Sequence, residues 1–283
     1  MFRLVVAECA SLSADGEPAE VVIRDRDGTA CAFGWRAGGD YWLRFPEIGT
    51  FRLRPEEGEV ALVEGGGIDS PPVLDTYYSA VLPLAYHLVG YEALHASAVL
   101  TPAGVVGLCA LSETGKSTLA FGLSRRGNSL WTDDVLVFEI GSGQGVLCHR
   151  VPFTAHLRPQ TQAHFGVGHK ETTVLRSAEE HSRLAPFAAL LLIEREERSD
   201  QLLVESERLP SSKALPAVLP HAFRFTLSDP ERKRRMMQSY LDLVARVPVV
   251  RVVFVPGFEH MPRVLDGLEE AIRTAVPPAA SLP

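Results

Sequence analysis

The chain has few cysteines, no long apolar run and no excess of positive charge, and each absence excludes a class of protein. Four cysteines among 283 residues show no C-x-x-C spacing, which argues against a disulfide framework and for a reduced setting. The longest apolar stretch, residues 184–193, is too short to span a bilayer, and residues 1–10 lack the features of a secretory signal. A net charge of −7 gives no electrostatic basis for binding nucleic acid or an anionic membrane. The sequence therefore predicts a cytoplasmic protein with no membrane and no nucleic-acid partner.

Residues 110–118 point most directly to a function. They read Ala-Leu-Ser-Glu-Thr-Gly-Lys-Ser-Thr and match the phosphate-loop pattern G-x-x-x-x-G-K-[ST] at Gly115, Lys116 and Ser117. An apolar run before the loop predicts a buried strand, and apolar residues at helical spacing follow it. Strand, loop and helix in this order direct backbone N–H groups and the helix dipole at a phosphate. The sequence thus predicts a nucleotide site in which Lys116 reaches the phosphates and the Ser117 hydroxyl binds Mg²⁺.

Two adjacent acids, Asp133 and Asp134, lie within a β-rich run downstream of the loop. A carboxylate at a strand end beside a phosphate loop is typical of a metal ligand for a bound nucleotide. Because neighbouring strand residues point to opposite faces, only one of the two faces the phosphates if the backbone stays extended. A bend between them would let both reach.

These residues, together with the segments 94–99, 107–120 and 126–134, resemble the C-terminal domain of HPr serine kinase/phosphorylase. The closer likeness is to the HPr-kinase-related proteins of lasso-peptide and other peptide-modification systems. The resemblance implies an α/β fold with a P-loop nucleotide-binding core of the HPr kinase/phosphoenolpyruvate carboxykinase type. It further implies ATP and Mg²⁺ as cofactors and a hydroxyl acceptor, and it suggests a homo-oligomer.

The resemblance also implies roles for the matched residues. His95 precedes the loop as a histidine does in the family, where it would contact the phosphates or the acceptor. Asp133 is similar to the family's general base, and Asp134, with Ser117, to its metal ligand. The loop residues implied to bind nucleotide are Ser112, Glu113, Thr114, Gly115, Lys116, Ser117 and Thr118.

Two residues of the loop depart from the family pattern. Ala110 and Glu113 replace glycines, and glycine permits φ > 0 and close backbone approach to a phosphate. Glu113 also places a carboxylate beside a polyphosphate, which is unfavourable unless the side chain turns to solvent or joins the metal site. Nucleotide binding without phosphoryl transfer is therefore an alternative function.

Basic residues outside the loop allow two interpretations each. Arg158 follows the hairpin that carries the acids, and it either stabilises the charge of a transferring phosphoryl group or forms a surface ion pair. The basic run Arg232–Arg235, on the first turns of a predicted helix, indicates a solvated helix face in preference to a surface that steers an acidic acceptor.

The sequence divides into four parts. Short β-prone runs between Gly-rich and acidic turns predict a β-rich N-terminal module at 1–72. Helical periodicity predicts a connecting helix at 73–91. A P-loop kinase-like domain is expected at 92–276, and a disordered tail at 277–283.

The leading hypothesis is an ATP-dependent kinase that transfers the γ-phosphate to a serine-type hydroxyl of a peptide or small protein. In that mechanism Lys116 and the metal carry the charge, while Asp133 orients or deprotonates the hydroxyl. One alternative is a nucleotide-binding adaptor, in which the N-terminal module recognises a partner and no transfer occurs. The other is a small-metabolite kinase that acts on free serine or a sugar.

Overall fold

The computed structural model describes residues 2–6, 20–24, 28–141, 143, 145–155, 157–167, 183–196, 203–223, 225 and 229–276. The tail predicted at 277–283 lies outside these residues. The chain is mixed α/β and divides into two compact units. The first comprises Met1–Tyr91 with Phe223–Met236, and the second comprises Glu92–Ala222 with Met237–Pro283.

The first unit contains a six-stranded sheet. Its strands are β1 (Arg3–Val6), β2 (Glu20–Arg24), β3 (Ala30–Ala37), β4 (Asp40–Phe45), β5 (Gly49–Arg54) and β6 (Glu59–Gly65). Their order is β1-β6-β5-β4-β3-β2, in which β2 to β6 are antiparallel neighbours and β1 is parallel to β6. One face of the sheet is apolar because inward-pointing residues alternate with polar ones along the strands. Fully buried residues of this face include Leu43, Phe51, Leu53 and Val60.

A helical segment follows this sheet. It consists of α1 (Pro71–Thr76), a π-helical turn (Tyr77–Val81) and α2 (Leu82–Leu88). Proline suits the start of α1 because the first N–H groups of a helix have no partner within the helix. This segment belongs to the same compact unit as the six-stranded sheet.

The second unit contains a larger sheet that branches. Its strands are β7 (Glu92–Leu94), β8 (Ala96–Thr101), β9 (Gly104–Ala110), β10 (Ser129–Thr132), β11 (Leu136–Ile140), β12 (Val146–His149), β13 (Leu184–Arg195), β14 (Val204–Leu209) and β15 (Val249–Phe254). The main path runs β10-β8-β9-β13-β15-β14. The first residues of β13 pair instead with β12, from which β11 and β7 continue. The long strand β13 therefore joins both branches.

Strand direction brings several chain segments to one edge of the main sheet. β9, β13 and β15 are mutually parallel, and β10 runs the same way because both it and β9 are antiparallel to β8. The carboxyl ends of these four strands therefore share an edge, which is where open α/β sheets bind ligands. His95, which directly precedes β8, lies at the same edge.

Helices cover the sheet of the second unit. They are α3 (Lys116–Ser124), α4 (Pro159–Phe165), α5 (Ser211–Val218), the part of α6 (Pro230–Arg246) that begins at Met237, and α7 (Met261–Ala275). Leu119 and Leu123 of α3 share a core cluster with Leu265 and Leu268 of α7 and with the central strands, so both helices are anchored by apolar burial. In the described part of the chain, no helix combines the length and the hydropathy needed to cross a membrane.

The prediction of a solvated basic run at the start of α6 is wrong for one residue. Arg232 is only 6% exposed, and its guanidinium donates to the backbone carbonyls of His87 and Tyr91. Its neighbours Lys233, Arg234 and Arg235 are exposed. The difference arises because Arg232 finds acceptors on a segment about 140 positions away in the chain, which no local pattern shows.

Candidate functional site

A cleft of about 390 Å³ lies at the shared carboxyl edge of the main sheet. Its lining includes the loop after β9, Asp134 after β10, Arg195 at the end of β13 and Phe254 at the end of β15. The structure brings all the predicted site residues except Asp133 into this lining. These are His95, Ser112, Glu113, Thr114, Gly115, Lys116, Ser117, Thr118, Asp134 and Arg158.

The loop between β9 and α3 has the backbone shape of an anion-binding concavity. Glu113 has φ 70° and Gly115 has φ 103°, so left-handed residues alternate with Thr114 between them. Such alternation turns successive backbone N–H groups toward one point, and the positive end of α3 begins at the next residue, Lys116. The loop can therefore donate backbone hydrogen bonds to one anion, except from the N–H of Thr114, which donates to the carbonyl of Leu111 at 3.2 Å.

Ala110 does not disturb this loop. It is the last residue of β9, pairs with Ile193 of β13 and is 3% exposed. Its backbone is extended, so the position makes no demand for glycine. Glu113 is the departure that matters, because a residue with a Cβ there occupies the left-handed region.

A chain of polar contacts links the loop to the two predicted acids. The Lys116 ammonium donates to Oδ1 of Asp134 at 2.7 Å and lies 3.3 Å from Oγ of Ser97. Ser97 in turn donates to Oδ1 of Asp133 at 2.5 Å. Lys116, Ser97 and Asp133 are all buried, so these contacts act in a setting where charge is weakly screened.

The backbone bends between the two acids, as one of the two sequence alternatives required. Asp134 has φ 65°, and the N–H of Val135 donates to the carbonyl of Asp133 at 2.9 Å. A bond across a single left-handed residue is a γ-turn, which is rare and strained. The bend ends β10 and places both carboxylates on the side of Lys116.

The two acids have different surroundings. Asp133 is 5% exposed, whereas the side chain of Asp134 is 43% exposed in the cleft. Burial raises the pKa of Asp133, and the charge of Asp134 raises it further, while Lys116 and the hydroxyls of Ser97 and Ser117 act in the opposite direction. Among the described residues no group of three or more His, Cys, Asp or Glu side chains could hold a metal ion, but the Asp134 carboxylate and the Ser117 hydroxyl are oxygen donors of the kind that Mg²⁺ shares with phosphate. The residues present therefore fit this ion.

Two arginines contact the loop from outside. Arg158 donates to Oε1 of Glu113 at 2.8 Å, and both side chains are 67% exposed, so the acid turns to solvent and forms the surface ion pair that the sequence allowed. Arg195 donates from Nε to the carbonyl of Thr114 at 2.6 Å. Both arginines therefore bond to the loop itself, Arg158 to a side chain and Arg195 to the backbone.

Sequence reasoning missed Ser97, Arg195 and His221. Ser97 is a polar residue within a mostly apolar strand, which was the available signal. Arg195 ends an apolar strand, but its place beside the loop depends on the pairing of β13 with β9. The carbonyl of His221 accepts the N–H of His95 at 2.7 Å, and burial, His95 and Lys116 all lower the pKa of His221.

Comparison with known proteins identifies no family for this chain. No family model matches it, and no curated protein matches it. A similar solved structure is that of the Hpr(Ser) kinase/phosphatase from Coxiella burnetii, with 12% identity, a TM-score of 0.33, and coverage of 63% of this chain and 94% of that chain. A likeness at this level assigns neither a family nor an activity, so both depend on the chemistry of the cleft.

Proposed function

We propose that the cleft binds Mg²⁺-ATP in a P-loop core of the HPr kinase/phosphoenolpyruvate carboxykinase type. The protein transfers the γ-phosphate to a serine-type hydroxyl of a peptide or small protein. The observation that supports this most is the meeting of a left-handed loop, the buried Lys116 and the carboxylate of Asp134 in one cleft, with Asp133 buried beside them. Phosphoryl transfer needs little beyond such positioning and charge neutralisation.

Each residue has a role in this proposal. The loop amides and Lys116 bind phosphate oxygens, which compete with Asp134 for the ammonium. Ser117 and Asp134 would hold Mg²⁺, which neutralises phosphate charge when bound. Arg158 reaches the phosphates once it leaves Glu113, and His95 contacts the phosphates or the acceptor.

Asp133 orients or deprotonates the acceptor hydroxyl. It precedes Asp134 in the chain and accepts a hydrogen bond from Ser97, which also contacts the Lys116 ammonium. It is therefore next to the expected position of the γ-phosphate. A positioned base of this kind contributes about 10²–10⁴-fold to a rate.

The decisive experiment is incubation of the purified protein with labelled ATP, Mg²⁺ and the peptides encoded by neighbouring genes, followed by mass spectrometry. The expected product carries one added phosphate on a hydroxyl residue. Lys116→Ala should abolish it while circular dichroism shows an unchanged fold. Absence of any Mg²⁺-ATP binding by the wild-type protein would refute the proposal.

One observation favours the adaptor alternative. Asp133 is only 5% exposed, so an acceptor hydroxyl has limited access to it. Tight Mg²⁺-ATP binding with no product from any acceptor would establish the adaptor. Turnover with free serine or a sugar, and none with peptides, would establish the metabolite kinase.

A cytoplasmic location belongs to the same proposal. Among the described residues, Cys31, Cys109 and Cys148 are free thiols, which suits a reducing compartment that contains ATP. Homo-oligomerisation is proposed on the resemblance alone, and sedimentation velocity tests it.

A further inference from the structure

The cleft has a second wall that the phosphate chemistry does not use. Leu119, Phe254, Met261 and Val264 are each at most 7% exposed and yet line the cleft. Phe258 adds a partly buried ring to the same wall. A triphosphate is hydrophilic throughout, and these apolar side chains form neither hydrogen bonds nor ion pairs with it.

The order of strands puts this wall and the carboxylates on opposite sides of the loop. β9, which leads into the loop, has β8 and β10 on one side and β13 and β15 on the other. Asp134 follows β10, whereas Phe254 ends β15 and Phe258 and Met261 follow it. The cleft therefore has an end with the carboxylate of Asp134 and an end that is mostly apolar apart from Arg195, with the loop between them.

The apolar end is joined to the loop through the first turn of α3. Thr118 lines the cleft, and its hydroxyl is 2.9 Å from that of Thr161 on α4. Gln160 lies beside Thr161 in the lining and supplies an amide at the rim. The ring of Phe258 stacks on that of His164, also on α4, with centroids 4.7 Å apart and planes 29° apart.

Such a wall suits a flat apolar group that is covalently attached to a phosphate. Ligand sites of this size combine mostly apolar walls with a few polar groups that fix orientation. Aromatic and aliphatic side chains stack on a nucleobase, and rim amides and hydroxyls bond its edge. An acceptor side chain would enter from the other end, because the proposed base and metal ligand are there.

We propose that residues Leu119, Phe254, Phe258 and Met261 form a nucleobase subsite, with Gln160 and Thr161 at the edge of the base. The proposal rests on the proposed function, since it places the base of the nucleotide whose phosphates the loop binds. It commits the cleft to a nucleoside triphosphate as opposed to an inorganic polyphosphate.

The test compares Mg²⁺-ATP with Mg²⁺-tripolyphosphate by calorimetry on the full-length protein. Tripolyphosphate has the same chain of phosphates and at least as much charge, so tighter binding of ATP measures the nucleoside. We expect ATP to bind at least about tenfold more tightly to the wild type. Phe258→Ala should remove most of that ratio by weakening ATP and leaving tripolyphosphate unchanged.

His260→Ala is the matched control, because His260 lies in the same helical turn as Phe258 but not in the cleft lining. It should leave both affinities unchanged. Equal affinities for ATP and tripolyphosphate in the wild type would overturn the subsite while leaving the phosphate site intact, and this comparison needs no variant to fold. Equal losses of both ligands in Phe258→Ala would also overturn it. If neither ligand binds, the proposed function itself fails.

Discussion

Arg195 donates from Nε to the carbonyl oxygen of Thr114 at 2.6 Å. A trans peptide carries its C=O and N–H on opposite sides, so this bond directs the N–H of Gly115 away from Arg195. The terminal NH2 group lies 3.2 Å from the position that a Cβ on Gly115 would take. Arg195 therefore fixes the orientation of one amide of the concave loop and occupies the space behind it.

We expect Arg195→Met to weaken Mg²⁺-ATP binding by about tenfold, the equivalent of roughly 1.4 kcal/mol. The loss follows from release of the Thr114 carbonyl and from removal of a positive charge at the cleft. Calorimetric titration measures it, and Arg195→Lys should recover part of the affinity. Arg251→Met is the control, because Arg251 pairs with Glu194 on the neighbouring strand and does not line the cleft. Equal effects of the two methionine variants would contradict this role.

Glu113 has an unfavourable backbone conformation, and its side chain forms only a weak ion pair with Arg158. Its φ of 70° costs a residue with a Cβ about 1 kcal/mol or more, whereas its exposed ion pair with Arg158 contributes about 0–1 kcal/mol. Glu113→Gly and Glu113→Ala both lose the pair, but only glycine removes the backbone cost. We expect Glu113→Gly to be more stable than Glu113→Ala by about 1 kcal/mol and therefore to have the higher melting temperature. A higher melting temperature for Glu113→Ala would contradict the backbone argument.

The same position should affect affinity through charge. Glu113→Gln keeps the size and the backbone conformation but removes a carboxylate near the phosphates. Its Mg²⁺-ATP affinity should rise by a few fold at low salt, and the rise should shrink as salt screens the repulsion. Arg158→Gln is the matched partner variant, and its affinity should fall. An affinity of Glu113→Gln equal to that of the wild type at every salt concentration would show that this carboxylate does not sense the phosphates.

Local patterns predicted the strand, loop and helix around Gly115, and the structure confirms that order. The sequence allowed either an extended backbone or a bend between Asp133 and Asp134. It could not decide between them, because the left-handed conformation of Asp134 depends on the contact with Lys116 and on where β11 begins. Arg195 and Phe258 could not be placed at all. Their positions follow from the pairing of β13 with β9 and with β15, and no short-range periodicity records which strands become neighbours.

Substitution of Asp133 and of Asp134 should change different kinetic parameters. Asp134→Asn keeps a residue that tolerates the left-handed bend, so the expected change is a rise of at least about tenfold in the Mg²⁺ concentration for half-maximal transfer. Asp133→Asn should lower kcat by about 10²-fold or more even at saturating Mg²⁺. Steady-state kinetics over a range of Mg²⁺ separates the two. Asp242→Asn, which alters a surface pair with Arg246, is the control, and the reverse pattern would exchange the two roles.

We expect the buried Arg232 to stabilise the first unit and to take no part in ligand binding. Its guanidinium donates to the carbonyls of His87 and Tyr91 at 3.0 and 2.9 Å and lies 2.8 Å from Nδ1 of His87. Arg232→Met would remove these buried hydrogen bonds, each worth about 0.5–1.5 kcal/mol, although the His87 carbonyl still accepts the N–H of Gly90 at 3.1 Å. We expect the melting temperature to fall by roughly 5–10 °C.

The matched control for this variant is Arg234→Met, because Arg234 lies on the same helix and is exposed. Surface substitutions of this kind change stability by about 0.5 kcal/mol or less, so its melting temperature should stay near that of the wild type. Mg²⁺-ATP affinity below the melting transition should be unchanged in both variants, since neither residue lines the cleft. A loss of Mg²⁺-ATP affinity in folded Arg232→Met would contradict a purely structural role for this residue.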